Sequence, residues 1–548
     1  MVTRREFHKG LLGLAFASLA APRVHANFGV NPPATYLNRL TFGAHIDTHE
    51  EFVRLGLDGW LENQLAMPES DPDLTARLSA ARLHIGYEAG IAENGESWPA
   101  VDEMRPLSML NARAETLVKY LDYEQPFAFA ERVRPGNEVI AANFIRAAHS
   151  KAQLREVMTQ FWHNHFNVNA MKDADTAVFF PEYDRIMRRH AFGNFRQLLG
   201  EVTRAPSMLY YLNNASSRAS PANENFAREL LELHTLGAPN YMNDRYNHWR
   251  EVPGAESGYA LGYIDQDVYE VARAFTGWTV GDGGWLGDSA NKPATGQFFY
   301  ATLWHDPYQK RILGAEFEAN AAPLSDGEKV LDLLATHPAT ASFVSEKIIR
   351  RLGLENPTEG FKDRIASVFL RAAHDDDQIA KVIRAIVLSE EFATTPPAKL
   401  RTPFEFIIAL FRATGAQLIE PQMDIYWQLE RAGWPQHQVR PPTGPSDQSA
   451  DWANTRTLSS MVTYALYAHY GYLDGIQFNP KVTAKTWGDY AEHWVKALHA
   501  PLDTVKAFLN AMDVSPSESL PVANEEYLLW GANNAIALAA LTPEFMFR

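Results

Sequence analysis

The sequence predicts a mainly α fold: a multi-helix globular body with one small β or irregular patch near residues 279–315. Apolar residues recur at intervals of three and four along most of the chain, whereas the alternating pattern of strands is scarce. The best candidate strands lie between residues 279 and 315, among clusters of Gly and Asp. Helical segments are predicted over about 74–91, 106–122 and 136–150, among others, whereas 421–452 is predicted to be mostly turns. With 548 residues, 46% of them hydrophobic, the chain is long enough to bury a large core.

The N-terminus predicts a twin-arginine signal peptide over residues 1–26. Arg4 and Arg5 precede an apolar run, Gly10 to Ala21, and Val24-His25-Ala26 fits a small-residue cleavage site. No other apolar run approaches the roughly 20 residues of a membrane span. We therefore expect a periplasmic or secreted protein. The rest of the chain divides into an N-terminal helical region (27–150), a central region with the candidate site (151–315) and a C-terminal helical region (316–548).

Composition excludes several classes of function. The net charge of −16 argues against nucleic-acid binding, which needs a basic surface. The chain has no Cys, so disulfides, iron–sulfur clusters, cysteine nucleophiles and Cys-ligated zinc are all excluded. A metal ion would have to be held by His and oxygen ligands, and a nucleophile would be a hydroxyl, a carboxylate or an activated water.

The segment Pro221–Gly237 predicts one amphipathic helix, with Asn223 as its N-cap and the Gly at its C-terminal end. A step of 100° per residue puts the polar side chains on one arc and His234 on the apolar one. An ordinary solvated face with an Arg228–Glu232 ion pair would explain the same pattern. The polar arc consists of Glu224, Asn225, Arg228, Glu229 and Glu232.

Two further stretches carry histidine. In Phe161–Phe166, the helical wheel places His165 in the core and His163 on the other side, so a regular helix would keep them from sharing one ion. A shared ion requires the helix to end here; the alternative is one core His and one exposed His. In Trp304–Pro307, Asp306 is placed to orient the imidazole of His305, or the two form a surface pair.

Several blocks resemble the bacterial family catalogued as domain of unknown function 1800. The match runs from about residue 36 to the C-terminus, although 238–262 is longer than the family's usual turn and 433–454 is loosely matched. The resemblance implies exported, mostly helical proteins, often encoded beside exported sulfatase-like proteins, and it implies no established activity. The blocks are Asn38–Gly43, Phe161–Phe166, Glu224–Gly237, Ala272–Trp278, His305-Asp306, His337–Ala341 and Thr542–Phe545.

These residues favour a metal-dependent enzyme of the cell envelope, with a divalent or transition metal ion of unspecified identity. Hydrolysis fits the groups better than oxidation, which stays open. The predicted metal ligands are His163, His165, His305 and Glu229. The predicted catalytic residues are Glu229, Glu232, Arg228 and Asn225, and the predicted cofactor-binding residues are His234 and Asp306.

Two non-catalytic functions remain open. The first is a helical binding or maturation partner of a co-encoded exported sulfatase-like protein, in which the polar arc is an interface. The second is an envelope glycan-binding module, suggested only by the aromatic content of 12%.

Overall fold

The structure, a computed structural model, describes residues 31–419, 423–467, 473 and 475–548. The predicted signal peptide, residues 1–26, lies outside the described residues. Helices make up 56% of the described residues, and each sheet among them has two strands, which confirms the predicted mainly α fold. None of the described helices is long and apolar enough to cross a membrane.

The helices follow the predicted pattern of apolar residues with a few departures. The segment 421–452, predicted to be mostly turns, contains a nine-residue helix, and 238–262 consists of short 3₁₀ turns on the surface. The α-helices span Pro33–Leu40, Ile46–Ala66, Pro72–Ala80, Ala114–Leu117, Phe129–His149, Gln153–His165, Ala174–Val178, Phe180–Arg189, Phe195–Arg204, Pro206–Tyr211, Asn225–Glu229, Asp265–Ala274, Ser325–Ala335, Pro338–Arg351, Glu359–Arg371, Gln378–Val387, Glu390–Thr394, Pro403–Thr414, Met423–Arg431, Ser449–Trp452, Thr455–Tyr467, Trp487–Ala497, Asp503–Met512, Glu525–Ala540 and Pro543–Met546.

Strands in the described part of the chain occur in three places, within residues 82–106, within 278–317 and in the short pair at 417–418 and 476–477, and the sequence predicted the second of these. In the predicted patch, Trp278–Asp282 pairs antiparallel with Ala294–Tyr300. A second hairpin pairs Arg82–Tyr87 with Val101–Pro106. The helices predicted over 74–91 and 106–122 are confirmed in part, as Pro72–Ala80 and as helical turns between residues 114 and 121. Over Arg82–Tyr87 the helix prediction was wrong, because Leu83 and Ile85 are buried alternately, with period two. The remaining strands are Gly90–Ile91, Ser97–Trp98, Trp285–Gly287, Ala290–Asn291, Lys310–Ile312, Ala315–Phe317, Gln417–Leu418 and Ile476–Gln477.

The buried apolar side chains form one cluster that extends from Tyr36 to Met546. The helix Gln153–His165 lies inside it, and eleven of its thirteen residues are buried. The helix Phe180–Arg189 packs against this helix, so polar residues on both helices are removed from solvent together. Such polar residues must find partners within the protein, because a buried group without one costs free energy.

Candidate functional site

The predicted helix over Pro221–Gly237 exists in a modified form. Its α-helical part is Asn225–Glu229, and Asn223 Oδ1 accepts a hydrogen bond from the backbone N–H of the first helical residue (3.0 Å). The next turn, Leu230–Thr235, is a π-helix. The segment ends at Gly237, where φ is +88° and a Cβ atom would lie 2.9 Å from the ring of Phe343. Only glycine suits this position without strain.

The π turn could not be predicted from the spacing of apolar residues. Its wider hydrogen-bonding pattern adds about one residue to a turn, so a wheel of 100° per residue fails beyond Leu230. Thr235 Oγ1 donates to the carbonyl of Leu230 (2.6 Å), and Gly237 N donates to that of Leu231 (3.1 Å). Single π turns inside helices are frequent at functional sites.

Glu229 and Glu232 are half-buried on this segment, and neither has a hydrogen bond or ion pair in the part of the chain that the structure describes. Burial, and then the neighbouring charge of Glu232, raise the pKa of Glu229. Burial raises the pKa of Tyr211 to about 12, with the charge of Glu229 adding to it. Burial also raises the pKa of Tyr263, and the charge of Glu232 raises it further. The two carboxylates therefore lie close to two phenols.

Arg228 does not form the ion pair with Glu232 that the sequence offered as an alternative. Its guanidinium donates to Asp265 Oδ1 (3.2 Å) and lies 3.5 Å from a Glu224 carboxylate oxygen. Asp265 also accepts from the Tyr241 hydroxyl (2.7 Å), so these partners hold the guanidinium. Its charge still acts on Glu229, whose pKa it lowers against the larger effect of burial.

Asn225 is exposed, and its side-chain amide lies 3.4 Å from Asn213 Oδ1. The amide is on the same segment as the two carboxylates, at its N-terminal end.

His163 belongs to a buried network of charged side chains. Its Nε2 donates to Asp184 Oδ1 (3.0 Å), and the other oxygen of Asp184 accepts from Arg146 (3.1 Å) and Arg188 (2.9 Å). Arg188 also donates to both oxygens of Glu156 (3.0 and 2.9 Å). Burial alone would raise the pKa of Asp184, but Arg188, His163 and Arg146 hold that pKa well below its usual value. His163 is thus buried, not exposed.

His437, which the sequence did not single out, lies against this network. Its ring centroid is 4.4 Å from that of His163, and burial lowers its pKa well below the usual value. Its φ of +54° is unusual for a residue other than glycine. The neighbouring Gln436 donates to Asn143 Oδ1 (2.7 Å) and Gln160 Oε1 (2.8 Å). The segment has no periodicity, so the sequence could not assign His437 to a face.

His165 and His234 form a second buried pair. His165 Nε2 donates to the backbone carbonyl of His234 (3.0 Å), and the ring centroids are 6.3 Å apart. His165 Nδ1 and His234 Nε2 are buried without a hydrogen-bond partner. Burial, and then the nearby charge of Lys347, lower the pKa of His234 to about 3. Burial lowers the pKa of Lys347 to about 8.

His305 and Asp306 do not pair in the way that the sequence indicated. His305 Nδ1 donates to the carbonyl of Thr276 (3.0 Å), and its Nε2 lies 3.5 Å from Asp326. Asp306 instead accepts two hydrogen bonds from Arg273 (2.8 and 2.9 Å). The prediction that Asp306 orients the imidazole was wrong, because the guanidinium engages both of its oxygens and Asp326 is the carboxylate beside the ring.

The predicted site residues therefore fall into separate clusters. Glu229 and Glu232 are adjacent, His165 and His234 are adjacent, and the others have the partners given above. Within the described residues, no group of three or more His, Asp or Glu side chains is arranged to hold a metal ion. The predicted ligand set of His163, His165, His305 and Glu229 is not such a group, and metal binding itself stays a prediction.

Comparison with known proteins gives a family. The profile of the family described as "Protein of unknown function (DUF1800)" matches residues 35–547, nearly the whole chain. Searches of the curated proteins and of the solved structures return no similar protein. The long match includes both the carboxylate segment and the buried histidines. This protein accordingly belongs to the DUF1800 family.

Proposed function

We propose that the protein is an exported hydrolase of the cell envelope whose centre is the carboxylate pair of Glu229 and Glu232. One observation carries the proposal: both side chains are half-buried, and neither has a partner within the described residues. Keeping two acids close together and partly desolvated costs free energy, since like charges three residues apart on a helix repel. Groups whose pKa is shifted by burial and by a neighbouring charge are common at catalytic sites.

The pair suits a hard divalent cation. Mg²⁺ is usually bound by one or two carboxylates and keeps several water molecules, so it does not need a cage of protein ligands. Glu229 is the proposed ligand, as the sequence predicted, and oxygen donors alone favour Mg²⁺, Ca²⁺ or Mn²⁺ over softer ions. A bound cation would polarise a substrate oxygen and lower the pKa of water.

The protein's own groups then have distinct tasks. Glu232 accepts the proton of the attacking water as a general base, while burial, and then the charge of Glu232, raise the pKa of Glu229. Arg228, held by Asp265, supplies positive charge beside the pair, where negative charge develops in the transition state. Asn225, which is exposed, is available to donate to the substrate.

Metal binding by mature protein, measured by calorimetry with Mg²⁺, Mn²⁺, Ca²⁺ and Zn²⁺, tests the proposal. We expect Glu229→Gln and Glu232→Gln each to weaken binding at least about tenfold. Glu224→Gln is the matched control, since this exposed acid at the start of the same helix already has Arg228 as a partner. Hydrolysis of chromogenic carboxyl, phosphate and sulfate esters and glycosides is assayed in parallel. Equal binding and equal turnover in all four proteins would refute the proposed centre.

A second candidate function is a complex with the exported sulfatase-like protein that the family resemblance suggests. The observation that favours it is a set of large apolar side chains exposed between residues 285 and 308: Trp285 (58%), Leu303 (61%) and Tyr308 (71%). Trp304 Nε1 donates to the carbonyl of Leu286, which brings the strand of Trp285 and the turn of Leu303 together. Co-purification from the envelope that is lost in a Trp285→Ser, Tyr308→Ser variant would support this function.

Export by the twin-arginine route is part of the proposal, and it rests on the sequence of residues 1–26. Replacing Arg4 and Arg5 with Lys should retain the protein in the cytoplasm. Fractionation of cells that express the two forms measures this, and equal export of both forms would contradict the assignment.

A further inference from the structure

A cluster of three basic side chains stands apart from the carboxylate pair. His165 and His234 are 2% and 1% exposed, and each has a ring nitrogen without a partner. Lys347, on the helix Pro338–Arg351, lies over the ring of Phe343, 5.2 Å from its centroid, and that ring is 6.2 Å from the ring of His165. Lys347 has no hydrogen bond or ion pair within the described residues, and its charge acts on both imidazoles. Buried polar atoms without a partner are few in native proteins, and each one calls for a ligand, a water molecule or a strained role.

The charges around the cluster favour an anion over a cation. The carboxylate whose charge acts on Lys347 is Asp447, and this side chain is bound to the amine of Lys399. A metal ion placed between the imidazoles would add a second positive charge beside the ammonium group, and the carboxylate of Asp447 already balances the charge of Lys399. An anion would neutralise the ammonium group and accept hydrogen bonds from it.

The hydrogen bond between His165 and His234 restricts the ligand further. The carbonyl of His234 can only accept, so His165 Nε2 carries the proton. In the neutral ring Nδ1 is then a bare acceptor, and it requires a donor from the ligand. The ammonium group of Lys347 requires acceptors. The ligand must therefore offer oxygen acceptors together with an O–H donor.

We propose that His165, His234 and Lys347 form a binding site for a small oxyanion that retains an O–H group, such as inorganic phosphate. Both forms of phosphate that exist near neutral pH carry at least one O–H, whereas sulfate of nearly the same shape carries none. Lys347 is half-buried, whereas the two imidazole rings are buried. This site does not depend on the function proposed for Glu229 and Glu232.

Equilibrium dialysis of the mature protein against labelled inorganic phosphate tests the site. We expect about one phosphate per chain, binding of sulfate at least about tenfold weaker, and a loss of at least about tenfold in phosphate affinity for Lys347→Met. Lys329→Met is the matched control: its amine is exposed and donates to the backbone carbonyl of Glu316, so phosphate affinity should not change.

The circular dichroism spectrum and the Tm of Lys347→Met show whether the variant folds. If the variant does not fold, the relative affinities of the wild-type protein for phosphate and sulfate still test the proposed binding site. No phosphate binding at about 10 mM, equal binding of the two anions, or unchanged affinity in a folded Lys347→Met would overturn the site. The first of these results would leave a bridging water molecule as the partner of the unpaired nitrogens.

Discussion

Replacement of Asp184 by Asn is the perturbation that most directly measures the buried network around His163. Asp184 accepts from His163, Arg146 and Arg188, and its side chain is 2% exposed. Asn keeps the shape but removes the charge, so it leaves two guanidinium groups with less compensation. We expect a fold that is intact but less stable, since the packing of the two helices is not changed.

The magnitude follows from what remains after the substitution. Removing one partner of a buried ion pair costs about 3–5 kcal/mol, mostly because the other charge stays buried. Arg188 would retain both hydrogen bonds to Glu156, so the cost lies at the lower end, at about 3 kcal/mol. Urea unfolding at pH 7, followed by circular dichroism, measures the difference in free energy of unfolding.

Urea unfolding of the two proteins at lower pH tests whether the charge of Asp184 causes the difference in stability. The pKa of Asp184 in the folded protein is well below its usual value, so its contribution is present above the unfolded pKa of about 3.9 and is lost as pH falls through the folded pKa. The difference between wild type and Asp184→Asn should therefore be full above about pH 5 and shrink below about pH 4.

The adjacent arginine provides the control. Arg189 donates to Glu201 in an ion pair whose side chains are 54% and 37% exposed, and Glu201 also lies 3.0 Å from Nε2 of His190. Because Gln keeps an oxygen acceptor for both neighbours, Glu201→Gln should cost no more than about 1 kcal/mol. A cost below about 1 kcal/mol for Asp184→Asn would refute the reasoning. Such a result would mean that the network of His163, Asp184 and the two arginines does not serve stability, and it would favour a functional role for His163.

Two other substitutions test the carboxylate segment. Glu229→Gln should stabilise the protein by about 0.5 kcal/mol at pH 7, because the raised pKa of this half-exposed acid makes its ionised form costly. The gain should vanish below about pH 4, where Glu229 is protonated in both states, and Glu224→Gln should show no such gain; urea unfolding measures both. Gly237→Ala should cost more than about 1 kcal/mol, because φ is positive and the added methyl group meets the ring of Phe343, and a neutral result in the same assay would contradict this account.

The helical part of the fold was predictable where local signals and packing agree. The helix Pro403–Thr414 begins with a capping box in which the Thr402 hydroxyl accepts from the backbone N–H of Glu405 and the Glu405 carboxylate accepts from that of Thr402. The hairpin between Arg82 and Pro106 was not predicted. Its outward residues include charged side chains at irregular spacing, and the two strands support each other only through pairing between distant segments, which a local pattern does not reveal.

The candidate site was predictable in residue type but not in arrangement. The wheel correctly separated His163 from His165, because the helix continues through both residues. It could not show that His163 is buried, since its partner Asp184 comes from another helix and removes the cost of burial. In the same way, Arg273 pairs with Asp306 across a turn, so the carboxylate beside His305 is Asp326.

Satisfaction of polar groups separates structural from functional residues better than residue type does. The network of His163 and Asp184 binds histidine, carboxylates and guanidinium groups to one another, and a well-connected network of this kind rigidifies a core. Glu229 and Glu232 are acids without a partner within the described residues, while His165 and His234 have unpaired nitrogens beside Lys347. A buried polar group without a partner costs free energy, and a ligand that pairs with it removes that cost. Binding of a ligand is therefore most favourable at these two clusters. The first cluster is acidic and the second is basic through Lys347, so the two proposals call for different ligands, a cation and an anion.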